Sequence, residues 1–257
     1  MTKINWDAVG ERLFETGVDR VVLYTSSGAV PWNGVISVDV KHEGFNKTSV
    51  YFDDRKVNEI IYQGDFSASL SAYTYPDEFL QFDGFAEIAD GMYLDNQISD
   101  DTFCIAYRTL IGNDEDGIDH GYKIHILYDL TATPSDLSQK TVESNVEPIE
   151  FSWELTSIPG EIPWYRPSAH LVLDSRTLPP DSLTEAENIL YGTSETDPYL
   201  PALFDLFSML GLKIRDNEDG TWTAIGPESI IDTLDGYSFS IDSSTVTEID
   251  TDTYSVS

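Results

Sequence analysis

The chain has 257 residues, 46 of them acidic and 14 basic, and carries a formal net charge of −32 at pH 7. A surface of this sign repels nucleic-acid phosphates and anionic lipids, which excludes a nucleic-acid-binding or membrane-surface protein. The single cysteine, Cys104, excludes an internal disulfide, and its alternation with apolar neighbours is typical of a core strand residue.

No targeting or membrane-spanning segment is indicated. The segment Met1–Trp6 contains no apolar h-region of a secretory signal. No later run reaches the roughly 18 apolar residues that a membrane span needs. We therefore expect the protein to be made in the cytoplasm and to have no membrane contact.

The N-terminal part shows short, evenly spaced stretches with the alternation of β-strands. Residues 5–16 mix apolar and charged side chains and are interpreted as an arm that docks elsewhere. Trp32-Asn-Gly34 indicates a turn before the alternating residues Ile36, Val38 and Val40. Strands are predicted over residues 18–24, 36–40, 49–52, 57–62 and 66–72.

A strand is followed by a short helix at Tyr75-Pro76. Every second residue of 66–72 is apolar, which gives this strand one apolar face. Pro76 suits a first helical position, where Asp77 and Glu78 complement the positive end of the helix dipole. Gly84 can end the segment. The pattern predicts a strand-to-helix corner in a mixed domain.

The C-terminal part contains further strands and then changes its periodicity. Residues 85–101 are interpreted as irregular and residues 131–146 as an exposed polar loop. Two prolines, Pro179-Pro180, cannot continue a strand ladder and mark the best domain boundary. Ser182-Leu-Thr-Glu185 is typical of a capping box, and Gly192 can end that helix. Further strands are predicted over residues 102–110, 122–130, 149–155 and 169–173, and a second helix over residues 200–210.

These elements predict a mainly β (α+β) protein of two parts. Residues 1–180 are expected to form a β-sandwich or open barrel with an N-terminal arm and one flanking short helix. Residues 181–257 are expected to form a small α+β appendage of two helices and short strands. After Arg176 the chain has 16 acids and 2 bases, so the appendage should be strongly solvated.

Catalytic motifs are missing from the sequence. It has no Gly-x-Ser-x-Gly elbow, no phosphate-binding glycine-rich loop ending in Lys-Ser/Thr, no His-Glu-x-x-His and no second cysteine for a thiolate zinc site. Four histidines are scattered without ligand spacing: His42, His120, His125 and His170. We therefore expect neither an enzyme nor a bound cofactor.

The loop Asn113–Asp119 is the best metal candidate. Its carboxylates Asp114, Asp116 and Asp119 with an intervening glycine suit the oxygen ligands of calcium. The position of the bidentate glutamate in an EF-hand loop is held here by Lys123. A solvated hairpin loop is therefore favoured over a calcium site.

Aromatic and acidic residues leave a carbohydrate-related function open. A glycoside hydrolase would need two carboxyl groups about the scissile bond, and no pair stands out. A carbohydrate-binding β-sandwich is the stronger alternative, with Trp153, Trp164 and Tyr165 forming a sugar-stacking face. Packing of these aromatic side chains in a core or a subunit contact is favoured over that face.

Six segments occur in an order that spans most of the chain: residues 17–24, 30–34, 72–79, 121–128, 187–192 and 219–222. The motif residues in them are Trp32, Tyr73, Tyr75, Pro76, Asp77, Glu78, Phe79, Tyr122, His125, Tyr128 and Trp222. In these segments the chain resembles the major tail proteins of bacteriophages with long non-contractile tails, especially those of actinobacterial phages.

The resemblance implies a structural protein of the virion. Six subunits would join their sheets into a ring with a continuous barrel, which removes exposed strand edges, and stacked rings would form the tail tube. The tube would enclose the tape-measure protein, meet tail terminator and distal tail proteins, and later let DNA pass during ejection without specific binding. The negative charge of the chain agrees with such a conduit.

The resemblance also assigns roles to segments. The segment 76–79 would be the flanking helix of the fold. The arm at 1–16 and the loops near 41–49 and 131–146 would be candidates for ring-to-ring contacts. The segment after 181 would face outward on the tube.

Overall fold

The fold of the chain is seen in a computed structural model that divides it into two compact units, Met1–Thr177 and Leu178–Ser257. The structure describes residues 6–41, 46–52, 55–62, 66–97, 101–139, 141, 148–160, 162, 165–210, 213–216, 222–225, 231–234, 238–241, 244–250 and 253–256.

The described part of the first unit is built almost entirely of strands, with one short 3-10 helix at Asp77–Phe79. The strands are β1 (Phe14–Thr25), β2 (Gly28–Pro31), β3 (Val35–Lys41), β4 (Asn46–Phe52), β5 (Arg55–Tyr62), β6 (Phe66–Ala72), β7 (Ala86–Ala89), β8 (Met92–Leu94), β9 (Phe103–Asn113), β10 (Gly117–Pro134), β11 (Phe151–Ser157) and β12 (His170–Asp174).

Eight of these strands form one antiparallel sheet in the order β2-β1-β9-β10-β11-β6-β3, with β12 also paired to β10. The long strand β10 changes partner along its length. Lys123–Leu127 pairs with β12, whereas Leu130–Pro134 pairs with β11. At the far end β3 contacts β1, so the sheet curls back over an apolar interior. The mainly β, sandwich-like fold predicted from the sequence is confirmed.

The core lies on the inner face of this curled sheet. In an antiparallel pair, residues directly opposite each other share a face. The strand 66–72 follows its predicted alternation, with Ala68, Leu70 and Ala72 fully buried. The buried core residues are Val21, Leu23, Trp32, Ala68, Leu70, Ala72, Phe79, Phe82, Phe103, Ile105, Tyr107, Leu127, Leu130, Trp153 and Leu155.

Several local predictions differ from the structure. Residues 85–101 were expected to be irregular, but β7 and β8 form a hairpin there. The loop expected at 131–146 begins later, because β10 continues to Pro134 along β11. Of the loop expected near 41–49, residues 46–49 belong to β4, and 42–45 lie outside the described residues. Ile36 points outward rather than sharing the core face of Val38, because a bulge shifts the register of β3 near residue 36.

The second unit contains two helices, α1 (Pro180–Tyr191) and α2 (Leu203–Leu210). The capping box predicted at Ser182–Glu185 is wrong, because α1 already begins at Pro180, whose fixed φ suits a first helical position. Gly192 ends α1 as predicted, with φ +75°. The strands that follow are β13 (Lys213–Asp216), β14 (Trp222–Ile225), β15 (Ile231–Leu234), β16 (Ser238–Ile241), β17 (Ser244–Asp250) and β18 (Thr253–Val256). Among the described residues, no helix has the length and hydropathy to cross a membrane.

Candidate functional site

An aromatic cluster fills one end of the sheet interior, where the turn after β2 meets the segment after β6. The Trp32 ring lies 4.5 Å from Phe79 and 5.5 Å from Trp153, centroid to centroid. Phe79 also lies 5.1 Å from Trp153 and 5.3 Å from Phe103 in edge-to-face geometry. Such pairs add about 0.5–1.5 kcal/mol each to the free energy of area burial. The rings hold the 3-10 helix against the sheet.

The polar atoms of this cluster are hydrogen-bonded inside it. The Trp32 indole Nε1–H donates to the Thr74 carbonyl oxygen at 2.8 Å. The Trp153 indole Nε1–H donates to Asp83 Oδ1 at 2.5 Å. Asp83 is only 8% exposed, and Tyr75 also donates to its carboxylate. Burial raises the pKa of the Asp83 carboxyl, the two hydrogen bonds oppose that rise, and the neighbouring Asp95 adds to it.

The cluster contains part of the set of family motif residues. Phe79 is fully buried, Trp32 is almost so, and Tyr75 packs edge-on to Phe151 at 5.2 Å. Tyr73 is half exposed and its backbone N–H donates to Gly34 O at 2.8 Å. Pro76 precedes the 3-10 helix, and Asp77 and Glu78 occupy its exposed first turn. The hydrogen bonds made by Trp32 and Tyr73 therefore join the turn at residues 32–34 to the segment 73–79.

A second cluster is polar and lies on the same inner face, away from the aromatic rings. Glu15 Oε2 accepts from Lys123 Nζ at 2.6 Å, and Glu15 Oε1 accepts from Thr109 Oγ1 at 2.6 Å. His125 Nε2 lies 3.0 Å from Thr109 Oγ1, and His125 Nδ1 lies 3.1 Å from His170 Nε2. We call these five residues the polar row, because they cross β1, β9, β10 and β12.

The ionisation of the polar row follows from its hydrogen bonds. Burial alone would raise the pKa of the Glu15 carboxyl, but the bonds from Lys123 and Thr109 outweigh it and lower that pKa. Burial lowers the pKa of His125 and the charge of Lys123 lowers it further, whereas the neighbouring Glu15 carboxylate raises it. The His125 ring stacks on Tyr107 at 4.7 Å with an interplanar angle of 5°.

The Thr109–His125–His170 chain has the outline of a nucleophile, base and orienting group. Its hydrogens are arranged differently, however. An ionised carboxylate only accepts, so the Thr109 hydroxyl hydrogen points to Glu15. Thr109 Oγ1 must then accept from His125 Nε2–H, which leaves no basic nitrogen facing the hydroxyl. The arrangement does not activate Thr109.

The opposite face of the sheet carries an ion pair that the sequence did not indicate. Two bulges in β1, next to Gly17 and Arg20, turn Asp19 to that face. Arg108 donates to Asp19 through Nε at 2.7 Å and Nη2 at 2.6 Å, and lies 5.1 Å from the Tyr122 ring centroid. The hydrogen bonds from Arg108 lower the pKa of the Asp19 carboxyl.

Of the remaining motif residues, His125 belongs to the polar row. Tyr128 is buried, and its hydroxyl has no hydrogen-bond partner among the described residues. Trp222 begins β14, and its side chain lies outside the described residues. The motif residues therefore do not converge on one site.

The acidic loop between β9 and β10 binds the chain's own N-terminal segment. Asp114 Oδ1 accepts from the Gly10 backbone N–H at 2.9 Å. Asp116 Oδ2 lies 2.9 Å from His120 Nδ1 and 3.1 Å from Asn113 Nδ2. Asp119 N donates to Asp116 O at 3.3 Å. Within the described ranges, no three His, Cys, Asp or Glu residues are placed to hold a metal ion.

The alternative of a sugar-stacking face formed by Trp153, Trp164 and Tyr165 is not supported, because Trp153 does not reach the surface. Trp153 is only 1% exposed, and its indole is held by Asp83 in the core. Trp164 lies outside the described residues, and Tyr165 is half exposed. The burial of Trp153 follows the favoured interpretation of core packing.

Cys104 is half-buried and its Sγ accepts from the Asp129 backbone N–H at 3.4 Å. Burial raises the pKa of the thiol to about 11. A raised pKa disfavours the thiolate, which is the nucleophilic form of cysteine.

Comparisons with known proteins found structural similarity without sequence similarity. No protein-family model matches the chain, and no curated protein matches its sequence. A chain of the sheath–tube complex of the extracellular contractile injection system PVC, in the extended state, covers 60% of this chain and 88% of its own length at 11% identity, with a TM-score of 0.32. A chain of the tube-terminating cap of the anti-feeding prophage covers 68% and 96% at 10% identity, with a TM-score of 0.30. Likeness at this level assigns neither a family nor a function.

Sequence reasoning missed the partners that organise both clusters. Asp83 and Trp153 are 70 residues apart, and His125 and His170 are 45 apart. No spacing in one sequence indicates such pairs. The one available signal was the polar atom of each tryptophan and tyrosine expected in the core, since a buried indole N–H needs an acceptor.

Proposed function

We propose that this chain is a self-assembling structural subunit of a phage-tail-like tube and acts by assembly rather than by catalysis. In this proposal it belongs to the non-contractile tails that its motifs resemble, forms stacked hexameric rings around a tape-measure protein, and contacts tail terminator and distal tail proteins. Its place is the virion, after synthesis in the host cytoplasm.

The observation that carries the proposal is the N-terminal arm, residues 6–13. Its backbone is fixed by the β9–β10 loop through two hydrogen bonds at Gly10, from its N–H to Asp114 Oδ1 at 2.9 Å and from Asn113 Nδ2 to its carbonyl at 3.1 Å. Its apolar side chains nevertheless remain in solvent, with Trp6 74% and Val9 70% exposed. An arm held in place with its apolar groups outward is suited to pack on another subunit.

The edges of the main sheet support the same conclusion. Among the described strands, β2, β3 and β12 each pair on one side only. Open edges invite pairing with another chain, and closure into a barrel through oligomerisation removes them. The β7–β8 hairpin adds a second apolar surface, with Ile88, Met92, Tyr93 and Leu94 half exposed. The open edges and apolar surfaces support self-association in general. The resemblance of the sequence motifs is the reason for proposing a tail tube in particular.

The charge of the chain fits a tube through which DNA passes. Each copy carries −32, so a ring of copies presents strongly anionic walls. Phosphates are repelled by such walls, which favours passage over adhesion.

Negative-stain microscopy of the purified full-length chain tests the proposal. We expect rings or tubes with a regular axial repeat, and their loss in the double variant Trp6→Ser, Val9→Ser. Ile158→Ser is the control, because Ile158 is an apolar residue that is 90% exposed and lies outside the arm. A chain that remains monomeric at high concentration, without rings or tubes, would contradict the proposal.

The second unit is proposed to be an outward-facing appendage of the tube. It begins after Thr177 and carries a large share of the acidic residues. A chain ending at residue 180 should still assemble. Failure of this truncated but folded chain to form tubes would give the second unit a role in assembly.

A further inference from the structure

Two histidines connect the edge strand β12 to β10. His125 lies on β10 and His170 on β12, and the register places them diagonally, because Leu127 is opposite His170 and His125 is opposite Val172. Their rings are 5.3 Å apart between centroids, and Nδ1 of His125 lies 3.1 Å from Nε2 of His170. Among the described strands, β12 pairs with β10 alone.

The neighbouring groups fix which nitrogen carries the shared hydrogen. Glu15 accepts from Lys123 and from Thr109, so the Thr109 oxygen accepts from His125 Nε2–H. A neutral His125 then has an unprotonated Nδ1. The hydrogen between the rings therefore belongs to His170 Nε2, which donates to His125 Nδ1.

We propose that the His125–His170 pair is an acid-sensitive contact that holds the edge strand β12 to β10 at neutral pH and releases it on acidification. A proton on His170 alone leaves the hydrogen bond in place, because Nε2 remains a donor. A proton on His125 Nδ1 turns two N–H groups toward each other and removes the only acceptor between them. With both rings charged, repulsion at 3.1 Å adds to the lost hydrogen bond.

The other groups facing His125 come from three strands. From β1, Glu15 Oε1 lies 3.5 Å from His125 Nε2 and favours its charged form. From β9, Tyr107 stacks on the ring, and from β10, Lys123 opposes a further positive charge. Burial raises the pKa of the hydroxyl of the stacked Tyr107, and from β3 the charge of Asp39 raises it further. The charge of Lys123 neutralises that of Glu15. The attraction of Glu15 therefore does not compensate for burial and the Lys123 charge, which both lower the pKa of His125.

The direction of the effect follows from proton binding. Burial holds the pKa of His125 below its ordinary value of 6.5, so the unfolded or opened chain binds more protons just below that pH. The stability of the closed contact is fully present above pH 6.5 and decreases as the pH falls toward the lowered pKa of His125. A difference of one bound proton changes the closed-to-open ratio about tenfold per pH unit.

The contact acts on a defined part of the fold. β12 is the last described strand of the first unit, and Asp174 lies three residues before the unit ends at Thr177. Release of β12 would leave the rest of the main sheet paired, since β9 pairs with the opposite edge of β10 and β11 pairs with Leu130–Pro134. The expected result of acidification is local opening and not global unfolding.

Hydrogen exchange measured by mass spectrometry on the full-length chain tests the contact. The opened ring is already half protonated at pH 6.5, so, after correction for the pH dependence of intrinsic exchange, peptides covering β12 should lose protection by up to about fivefold between pH 6.5 and 5.5. Peptides covering β1 and β9 should not. Equal protection of β12 at both pH values would overturn the proposal.

Two variants separate the histidine pair from other titrations. In His170→Gln the side-chain amide can donate to His125 Nδ1 and can turn its oxygen to the protonated ring, so β12 should keep its protection at pH 5.5. His120→Gln is the matched control, because His120 contacts Asp116 in the β9–β10 loop and should leave the wild-type response unchanged. A response that is unaltered in His170→Gln, or lost in His120→Gln, contradicts the proposal.

A measurement on the wild-type chain remains decisive even where His170→Gln does not fold. Histidine-selective 15N NMR reports the protonation of each ring nitrogen. We expect one ring that is protonated at Nε2 and unprotonated at Nδ1 at pH 7.5 and that titrates below the ordinary histidine range. Four rings that all titrate independently near pH 6.5 would overturn the assignment.

Discussion

Replacing Trp153 with phenylalanine tests whether a buried hydrogen bond to a carboxylate stabilises the core. Phenylalanine keeps a ring beside Phe79 and Trp32, but it removes the indole N–H that donates to Asp83 Oδ1 at 2.5 Å. Asp83 is 8% exposed, so little water can replace the lost donor, and among the described residues Tyr75 is the remaining side-chain donor. The substitution therefore leaves a poorly solvated carboxylate in an aromatic environment.

The expected loss has two parts. Removing the donor to a buried charged group costs about 1.5–3 kcal/mol. The smaller ring loses about 1 kcal/mol of apolar burial and leaves a small gap. We expect Trp153→Phe to lower the free energy of unfolding of the first unit by about 2.5–4 kcal/mol.

Trp32→Phe is the matched control for this prediction. Trp32 is equally buried in the same cluster, but its indole donates to a neutral acceptor, the Thr74 carbonyl, at 2.8 Å. A neutral hydrogen bond contributes about 0.5–1.5 kcal/mol, so Trp32→Phe should cost about 1–1.5 kcal/mol less than Trp153→Phe. The difference isolates the charge of the acceptor.

Urea unfolding followed by far-UV circular dichroism measures both variants. A lower midpoint with an unchanged slope shows a loss of stability without a change in the denatured state. Since the chain has two units, the transition that shifts is the one assigned to the first unit. Equal losses in the two variants would refute the reasoning that the Asp83 carboxylate makes Trp153 the more important donor.

Three further substitutions have expected outcomes. Because burial raises the pKa of Asp83, ionisation of its carboxyl lowers stability as the pH rises from the ordinary value of 3.8 through the raised pKa. Urea midpoints between pH 3.5 and 7 should therefore show wild type losing stability relative to Asp83→Asn over that window, and a pH-independent difference would contradict this. Gly112→Ala should cost about 1–3 kcal/mol, because its Cβ would meet the Gly117 carbonyl oxygen and the Phe14 ring. Gly160→Ala is the control, because a Cβ there meets no atom of the described residues within 4 Å, and equal unfolding midpoints would argue against this steric contact. Tyr128→Phe removes a buried hydroxyl that has no partner among the described residues, and it should raise the melting temperature by the equivalent of about 1 kcal/mol, whereas a lower melting temperature would indicate a hydrogen bond at that hydroxyl.

The sequence predicted those features of the fold that depend on local alternation. The strand at 66–72 follows the predicted alternation at Ala68, Leu70 and Ala72, which face the core and are fully buried, although Ser67 is buried as well. Gly192 was identified as a helix end because a positive φ there favours glycine. Both signals lie within a few residues of the feature they specify.

Features that depend on distant strands were not predictable in this way. Residues 131–134 were interpreted as part of a polar loop, but they pair with β11, where Ala132 lies opposite the core residue Leu155 and Pro134 lies opposite the core residue Trp153. Ile36 points away from the core because a bulge shifts the register of β3. No residue type in β3 indicates this bulge. The polar row was hidden for the same reason, since its five members come from four strands.

The aromatic cluster shows how a few polar atoms can specify the packing of many apolar ones. Rings of similar size can exchange places in a core at small cost, so apolar contact alone fixes the segment 73–79 weakly. Trp32, Tyr75 and Trp153 each carry a donor, and each donor finds an acceptor in Thr74 or Asp83. A shift of this segment by one residue would bury those donors without acceptors, at about 1–3 kcal/mol each. The strand-to-helix corner is therefore held in one position by its hydrogen bonds, while its rings supply most of the stabilising area.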